Sequence, residues 1–285
     1  MAVATRATPA RGIEMIDAHL RRLRSRETVS HAEEDAIRRM VSEVKRFPFN
    51  AVIARAGEPL DHSVIVTEGW VARVKQPQAY ERQITALCIA GDFADLHGLS
   101  LRELDHDLVA LTECAVAIVP HERLEAVIES SGHLARLYRL MSNIDSAMQR
   151  EWATSLGRRS RAAHLAHLFC ELLSRLEIVG LAAGTTYEFP LTQNQLADCL
   201  GATPVHVNRV LQQLRATGMI RLQHRSLAIT NLAALSALAK FDASYLFIDA
   251  RHRPSIMVDG EIRHLAKHSR ADRRSKSVRD IRAQP

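Results

Sequence analysis

Two short helices with legible ends, joined through a single glycine, constrain this chain more than any other feature. They lie in LTQNQLADCLGATPVHVNRVLQQLRATGMI, residues 191–220. Thr192 stands three residues before Gln195, so its hydroxyl can accept from the Gln195 amide while the Gln195 side chain reaches back. Leu196, Ala197 and Leu200 then share one face, and Gly201 supplies the left-handed residue that ends a helix. Thr203 can cap the next helix, and Pro204 fits its first position, where no amide hydrogen is needed. Val207, Val210, Leu211 and Leu214 recur at helical spacing. Two capped helices about a tight turn make a helix-turn-helix.

The opposite face of the second helix presents Pro204, Val205, Asn208, Arg209 and Gln212. A helix of this kind fits the DNA major groove with its N-terminal residues at the base edges. Arg209 can donate two hydrogen bonds to guanine O6 and N7, whereas Val205 can only touch a thymine methyl. His206 and Gln213 are better placed for phosphates, and Thr192 and Thr203 join the same DNA-facing set. The following MIRLQHRSLAIT alternates apolar and polar residues, which predicts two strands about a tight turn. This is a wing, with His224 and Arg225 near its tip and Leu222, Leu227 and Ile229 toward the core. Double-stranded DNA is therefore the expected partner.

Upstream, VIARAG, SVIVTEGWVARV, RQITALCIAGDF and DLVALTECAVAIV are apolar stretches separated by Gly, Pro and Asp turns. Such spacing over residues 47–120 indicates an all-β sandwich or barrel, with Gly57, Gly69 and Gly91 at the turns. Helices precede it at 13–24 and from Ser30, where Glu33 completes a capping box. A long helical pattern starts near His121, and within it Leu134, Leu137, Met141, Ile144 and Met148 form an a/d seam. The seam serves either its own domain or a second copy. Arg136, Arg139, Asp145 and Arg150 fall off it, which favours a parallel two-helix contact. Gly157 marks a hinge, and RAAHLAHLFCELLSRL continues as a helix. The expected division is 13–125 for a sensor domain, 126–157 for the dimerisation helix, 158–250 for the DNA-binding domain and 251–285 for an extension.

Charge separates along the chain. Residues 251–285 hold ten Lys and Arg against four acidic residues, a difference equal to the whole-chain charge of +6. That stretch reads as a solvated tail with non-specific phosphate contact as its alternative use. Cys88, Cys114, Cys170 and Cys199 are scattered and form no CxxC pair, so neither a disulfide scaffold nor a metal knuckle is expected. No apolar run reaches the ~18 residues of a membrane span, the first residues lack a secretory core, and a cytoplasmic location is expected. The strands offer no HxH pair, HExxH or nucleophile elbow, so an enzyme is not expected. A β-domain sensor or interaction protein without DNA binding is the alternative reading.

The chain resembles the Crp/Fnr family of bacterial transcription regulators over roughly residues 15–245. The resemblance rests on Gly57-Glu58, Glu68-Gly69, Gly91-Asp92-Phe93, Ala110-Leu111-Thr112 and, above all, LTQNQLADCLGATPVHVNRVLQQLR. It implies a mixed α/β two-domain fold: an N-terminal double-stranded β-helix (a jelly roll like that of cyclic-nucleotide-binding domains), a long dimerisation helix and a C-terminal winged helix-turn-helix. It also implies a homodimer on a two-fold symmetric operator, with RNA polymerase as a further candidate partner. Arg209 falls on the family's guanine-reading arginine, while Val205 replaces its base-reading glutamate and Pro204 its first base-reading side chain. On the sensor side Asp92 stands for the acidic residue of the cyclic-phosphate cassette. The Arg-Ser pair is replaced near Leu104-Asp105-His106, with Arg102 as the nearest substitute. Asp105 would repel a cyclic phosphate, so cyclic AMP is not expected. An iron–sulfur cluster is not expected either, because no cysteine precedes Cys88. Another small effector or haem stays open. His62, His97, His106 and His121 are the histidines of interest, each read as a surface or hydrogen-bonded residue and not a metal ligand.

Overall fold

The structure is a computed structural model that describes residues 16–78, 81–248, 257–258 and 261–262. Chain contacts divide it into two units, 1–253 and 254–285. In the second unit, β12 (Met257–Val258) pairs antiparallel with β13 (Glu261–Ile262). The rest of the basic extension, like Ile13 and the loose N-terminal arm, lies outside the described residues.

In the first unit, helices α1 (Asp17–Arg24) and α2 (His31–Met40) lead into the β region. Ser30 and Glu33 make the expected capping box, with Glu33 N donating to Ser30 Oγ and Ser30 N to Glu33 Oε2. Seven strands follow: β1 (Glu43–Phe47), β2 (Val52–Ala54), β3 (His62–Glu68), β4 (Val71–Gln78), β5 (Glu81–Cys88), β6 (Asp107–Ala110) and β7 (Cys114–Pro120). They form a three-stranded sheet, β1-β7-β3, and a four-stranded sheet, β2-β6-β4-β5. Early strands pair antiparallel with late ones, β1 with β7 and β2 with β6, which is the nested pairing of a jelly roll. Val64, Val66, Val71, Leu108, Ala110 and Val116 fill the space between the sheets. The short helix α3 (Gly98–Leu101) sits before β6. At Gly91, φ is +93°, and a Cβ would meet the Ala18 backbone at 2.8 Å. Only glycine lets α1 lie this close to the turn.

The pattern from His121 divides in two. Helix α4 (His121–Ser130) ends at Ser131, whose hydroxyl caps α5 (Gly132–Arg158) by accepting from Leu134 N at 3.2 Å. Gly157 is no hinge: the helix runs through it, and the chain turns at Arg159 and Ser160.

The seam is corrected more substantially. Leu134, Leu137, Met141, Ile144 and Met148 are all buried within the single chain, packed in one cluster with Ile16, Leu20, Leu23, Ile37 and Met40. His19 of α1 stacks on Tyr138 of α5 and donates from Nδ1 to Gly91 O at 2.9 Å. Periodicity shows that a stripe is covered but not what covers it, and here α1, α2 and the β roll take the place assigned to a second copy. The outer face of α5 carries Arg136, Arg139, Asn143, Arg150 and Ala153.

Helix α6 (Arg161–Val179) is buried for most of its length and ends at Gly180. Around it lie β8 (Ala182–Ala183), β9 (Thr186–Glu188), α7 (Gln193–Leu200), α8 (Pro204–Ala216), β10 (Ile220–Gln223), β11 (Ser226–Ile229) and α9 (Leu232–Ala239). The sheet order is β10-β11-β9-β8. The apolar core does not stop at the expected domain boundary, since Trp70, Ile84 and Leu87 of the roll join Phe169, Leu172 and Leu196 in one cluster. Arg82 holds Asp198 at 2.6 Å, and Gln195 Nε2 donates to Leu111 O at 3.4 Å.

This packing carries a pH dependence. Burial foremost pulls His19, His164 and His167 from 6.5 down to about 4. The unfolded chain therefore takes up these protons first, so stability is intact above pH 6.5 and falls as the pH drops toward 4. Asp95, pushed up to about 7 by burial, works in the opposite sense over an overlapping window. His97, lowered to about 4 in the same way, adds to the three, and four histidines against one carboxyl set the net direction. The urea midpoint should be lower at pH 5 than at pH 7, and a midpoint that rises on acidification would show that Asp95 dominates.

Candidate nucleic-acid interface and sensor cavity

The reading head is assembled by its caps. Gln195 N donates to Thr192 Oγ1 at 3.2 Å and Thr192 N donates to Gln195 Oε1 at 2.8 Å, so two of the amides left open at the start of α7 are satisfied. Gly201 takes φ 56° and ψ 49°, turning the chain into α8, where Thr203 Oγ1 accepts from His206 N at 3.3 Å. With Val207, Val210, Leu211 and Leu214 buried, the other face of α8 is exposed along its length. Pro204, Val205, His206, Asn208, Arg209, Gln212 and Gln213 all lie there, and Val205 is 74% exposed. Thr192 is exposed at the start of α7.

Strands β10 and β11 pair from Ile220↔Ile229 to Gln223↔Ser226, leaving His224 and Arg225 as a two-residue turn with φ 49° and 60°. Both positive angles fit a type I′ hairpin, whose twist matches the strands. Leu227 and Ile229 are buried, while Leu222 is partly covered. Arg215 Nη2 donates to Leu222 O at 3.2 Å, tying the end of α8 to the wing. Between Phe189 and Asn231 the sequence holds Arg209, Arg215, Arg221 and Arg225 against Asp198 alone, and Asp198 is already paired with Arg82. The head is thus locally basic even though residues 1–250 are formally neutral.

A cavity of about 360 Å³ lies where β4 and β5 face α5. Its cations are individually compensated. Arg73 meets Asp145 at 2.7 Å, Lys75 meets Asp105 at 2.7 Å, and Arg175 reaches Asp92 at 2.6 Å and Glu171 at 3.0 Å. Arg22 also pairs with Asp92. Burial alone would raise the Asp92 carboxyl, and Arg22 and Arg175 overcome it to hold the group below the usual carboxylate range. Asp92 therefore spends its charge on two arginines. Arg102 is no substitute for the missing cation, because it is not among the residues that line the cavity and instead bonds Glu125 at 2.5 Å and His121 at 3.2 Å.

Of the histidines, His62 pairs with Asp61 and His121 lies 3.2 Å from Ser63 Oγ. His97 and His106 are not isolated: their rings stand 5.2 Å apart on the cavity wall. Burial foremost lowers both, His97 to about 4, so both imidazoles are neutral at pH 7. Glu171 and Arg175 were missed by the sequence reading, although their i, i+4 spacing inside the apolar run FCELLSRL is the mark of a buried ion pair.

Comparison with known proteins divides the chain in the same way. The family described as a cyclic nucleotide-binding domain matches residues 44–131, and the Crp-like helix-turn-helix domain matches residues 163–238. The chain is 24% identical over 210 residues to the transcriptional activator protein FnrL of Cereibacter sphaeroides, covering 72% of this chain and 83% of that one. It is 29% identical over 175 residues to a probable transcriptional activator of Rhizobium leguminosarum bv. viciae, covering 61% and 70%. In fold it is similar to FixK2 from Bradyrhizobium japonicum, with a TM-score of 0.63, 23% identity, and coverage of 70% of this chain and 98% of that one. The β roll and the capped helix pair thus point to one group of DNA-binding proteins that are regulators and not enzymes: the chain belongs to the Crp/Fnr family of transcription regulators.

Proposed function

We propose that this DNA-binding regulator works as a homodimer on an inverted-repeat operator, with α8 of each copy in the major groove and the wing beside it. The observation that carries this reading is the exposed face of α8, where Arg209 stands among neutral polar side chains over a fully buried opposite face. In this reading Arg209 reads a guanine, Asn208 and Gln212 flank it, Val205 and Pro204 add shape, and Thr192, His206, Gln213, His224 and Arg225 approach phosphates. The dimer contact falls to the outer face of α5, since the seam is spent inside the chain. RNA polymerase is a further partner in this reading, supported by relatives named as activators. A cytoplasmic location goes with it. Among the described residues no helix is long and apolar enough to cross a membrane.

The cavity under β4 and β5 is where a small effector would act. Cyclic AMP does not fit, because its phosphate needs uncompensated donors and the four cations there already hold carboxylates. An iron–sulfur cluster does not fit either. Cys88 and Cys114 are buried in the roll, and Cys170 and Cys199 in the core around α6.

Capture of genomic fragments, with and without cyclic AMP, tests the reading. The retained fragments should share an inverted repeat with half-sites about 34 Å apart, and the set should not change with the nucleotide, which should give no saturable heat. A folded protein that retards no fragment would favour an interaction protein, and fragments retained only with cyclic AMP would overturn the view of the cavity.

A further inference from the structure

We propose that His97 and His106, backed by Asp105, form a binding site for a first-row divalent metal ion on the wall of the cavity. His97 immediately precedes α3, and Asp105 and His106 lie in the turn before β6, so the roll brings together residues from two separate turns. One donor atom from each of the three lies within 4.8 Å of the other two.

The second observation is an orphan. His106 is 6% exposed, yet its Nε2 has no hydrogen-bond partner among the described residues. A buried imidazole nitrogen without a partner is uncommon and calls for one. His106 Nδ1 lies 2.7 Å from Asp105 Oδ1. That contact places the proton on Nδ1 and leaves the Nε2 lone pair free, as in the carboxylate–histidine–metal arrangement. Asp105 in turn is held by Lys75 at 2.7 Å, and Arg73 is neutralised by Asp145, so the nearby cations are screened. Imidazole donors suit zinc, copper, iron or nickel and not calcium or magnesium. Donors in a tetrahedral site sit about 2.0–2.1 Å from the ion, hence roughly 3.3 Å apart, so donors spread over as much as 4.8 Å have to draw in by up to about 1.5 Å. Water from the cavity completes the coordination.

The test uses untagged full-length protein, stripped with a chelator and titrated with Zn²⁺ alone against a chromophoric competitor. One ion per chain should bind. Its affinity should drop at least tenfold in both His97→Gln and His106→Gln, and about 10–100-fold in Asp105→Asn. Co²⁺ should give an absorption band that His97→Gln loses. His97 is partly exposed, so that variant carries the test if His106→Gln fails to fold. No stoichiometric uptake, or uptake unchanged in the folded histidine variants, would overturn the site and place any bound metal on other histidines of the chain.

Discussion

Replacing Arg175 with methionine should cost the folded chain about 3–5 kcal/mol, the range for removing one partner of a buried ion pair. Arg175 is 1% exposed and ties together three parts of the molecule: Asp92 at the Gly91 turn, the Leu87 carbonyl at the end of β5, and Glu171 on its own helix. Glu171 is held further by Trp152 Nε1 at 3.2 Å and by the Tyr245 hydroxyl at 2.8 Å. Methionine fills much of the space but leaves both carboxylates short of a buried cation. The cost should therefore exceed that of the lost hydrogen bonds alone. The pH response gives an independent check. Asp92 has its folded value depressed, so its contribution is present above the unfolded value and is lost as pH falls through the folded one. With Arg175 gone that loss should begin at higher pH. Urea unfolding across pH measures both effects, and a cost below about 1 kcal/mol would mean that solvent reaches the network.

The second large effect belongs to Arg209. Arg209→Ala should lose discrimination at one base position in each half-site, by roughly 1–3 kcal/mol per half-site, because a bidentate contact to guanine O6 and N7 is gone. Affinity for random DNA should persist with its salt dependence. This side chain is exposed on α8, and among the described residues it makes no hydrogen bond or ion pair, so stability should hold. If Arg209 instead clamps a phosphate, every sequence should weaken alike and the salt slope should fall by about one. Binding to a single-base substitution library at two salt concentrations separates the two outcomes.

Local chemistry was legible and remote pairing was not. Thr192, Gln195, Gly201, Thr203 and Pro204 act within three or four residues of themselves, so the caps and the turn could be read from spacing. Gly57, Gly69 and Gly91 likewise declare their positive φ. The seam of α5 shows the limit of periodicity: the stripe is real, but its cover comes from helices about a hundred residues earlier. Asp92 and Arg175 are 83 positions apart, and no spacing rule joins them. His97 and His106 sit on different turns whose meeting is decided by strand pairing across the roll.

The packing of α1 against α5 bears on how the protein is made. His19 lies 3.3 Å from the Tyr138 hydroxyl, its partner 119 residues further along the chain. At a synthesis rate of about 5–20 residues per second, the first helix waits on the order of 6–24 s at the ribosome before Tyr138 emerges. During that interval Ile16, Leu20 and Leu23 have no α5 to bury them. The basic side chains of α1, Arg21, Arg22 and Arg24, keep the waiting segment charged, and two of them later find Asp92 and Glu34. Helix α1 is thus made well before the helix that secures it, so nascent-chain chaperones have prolonged access to its apolar face.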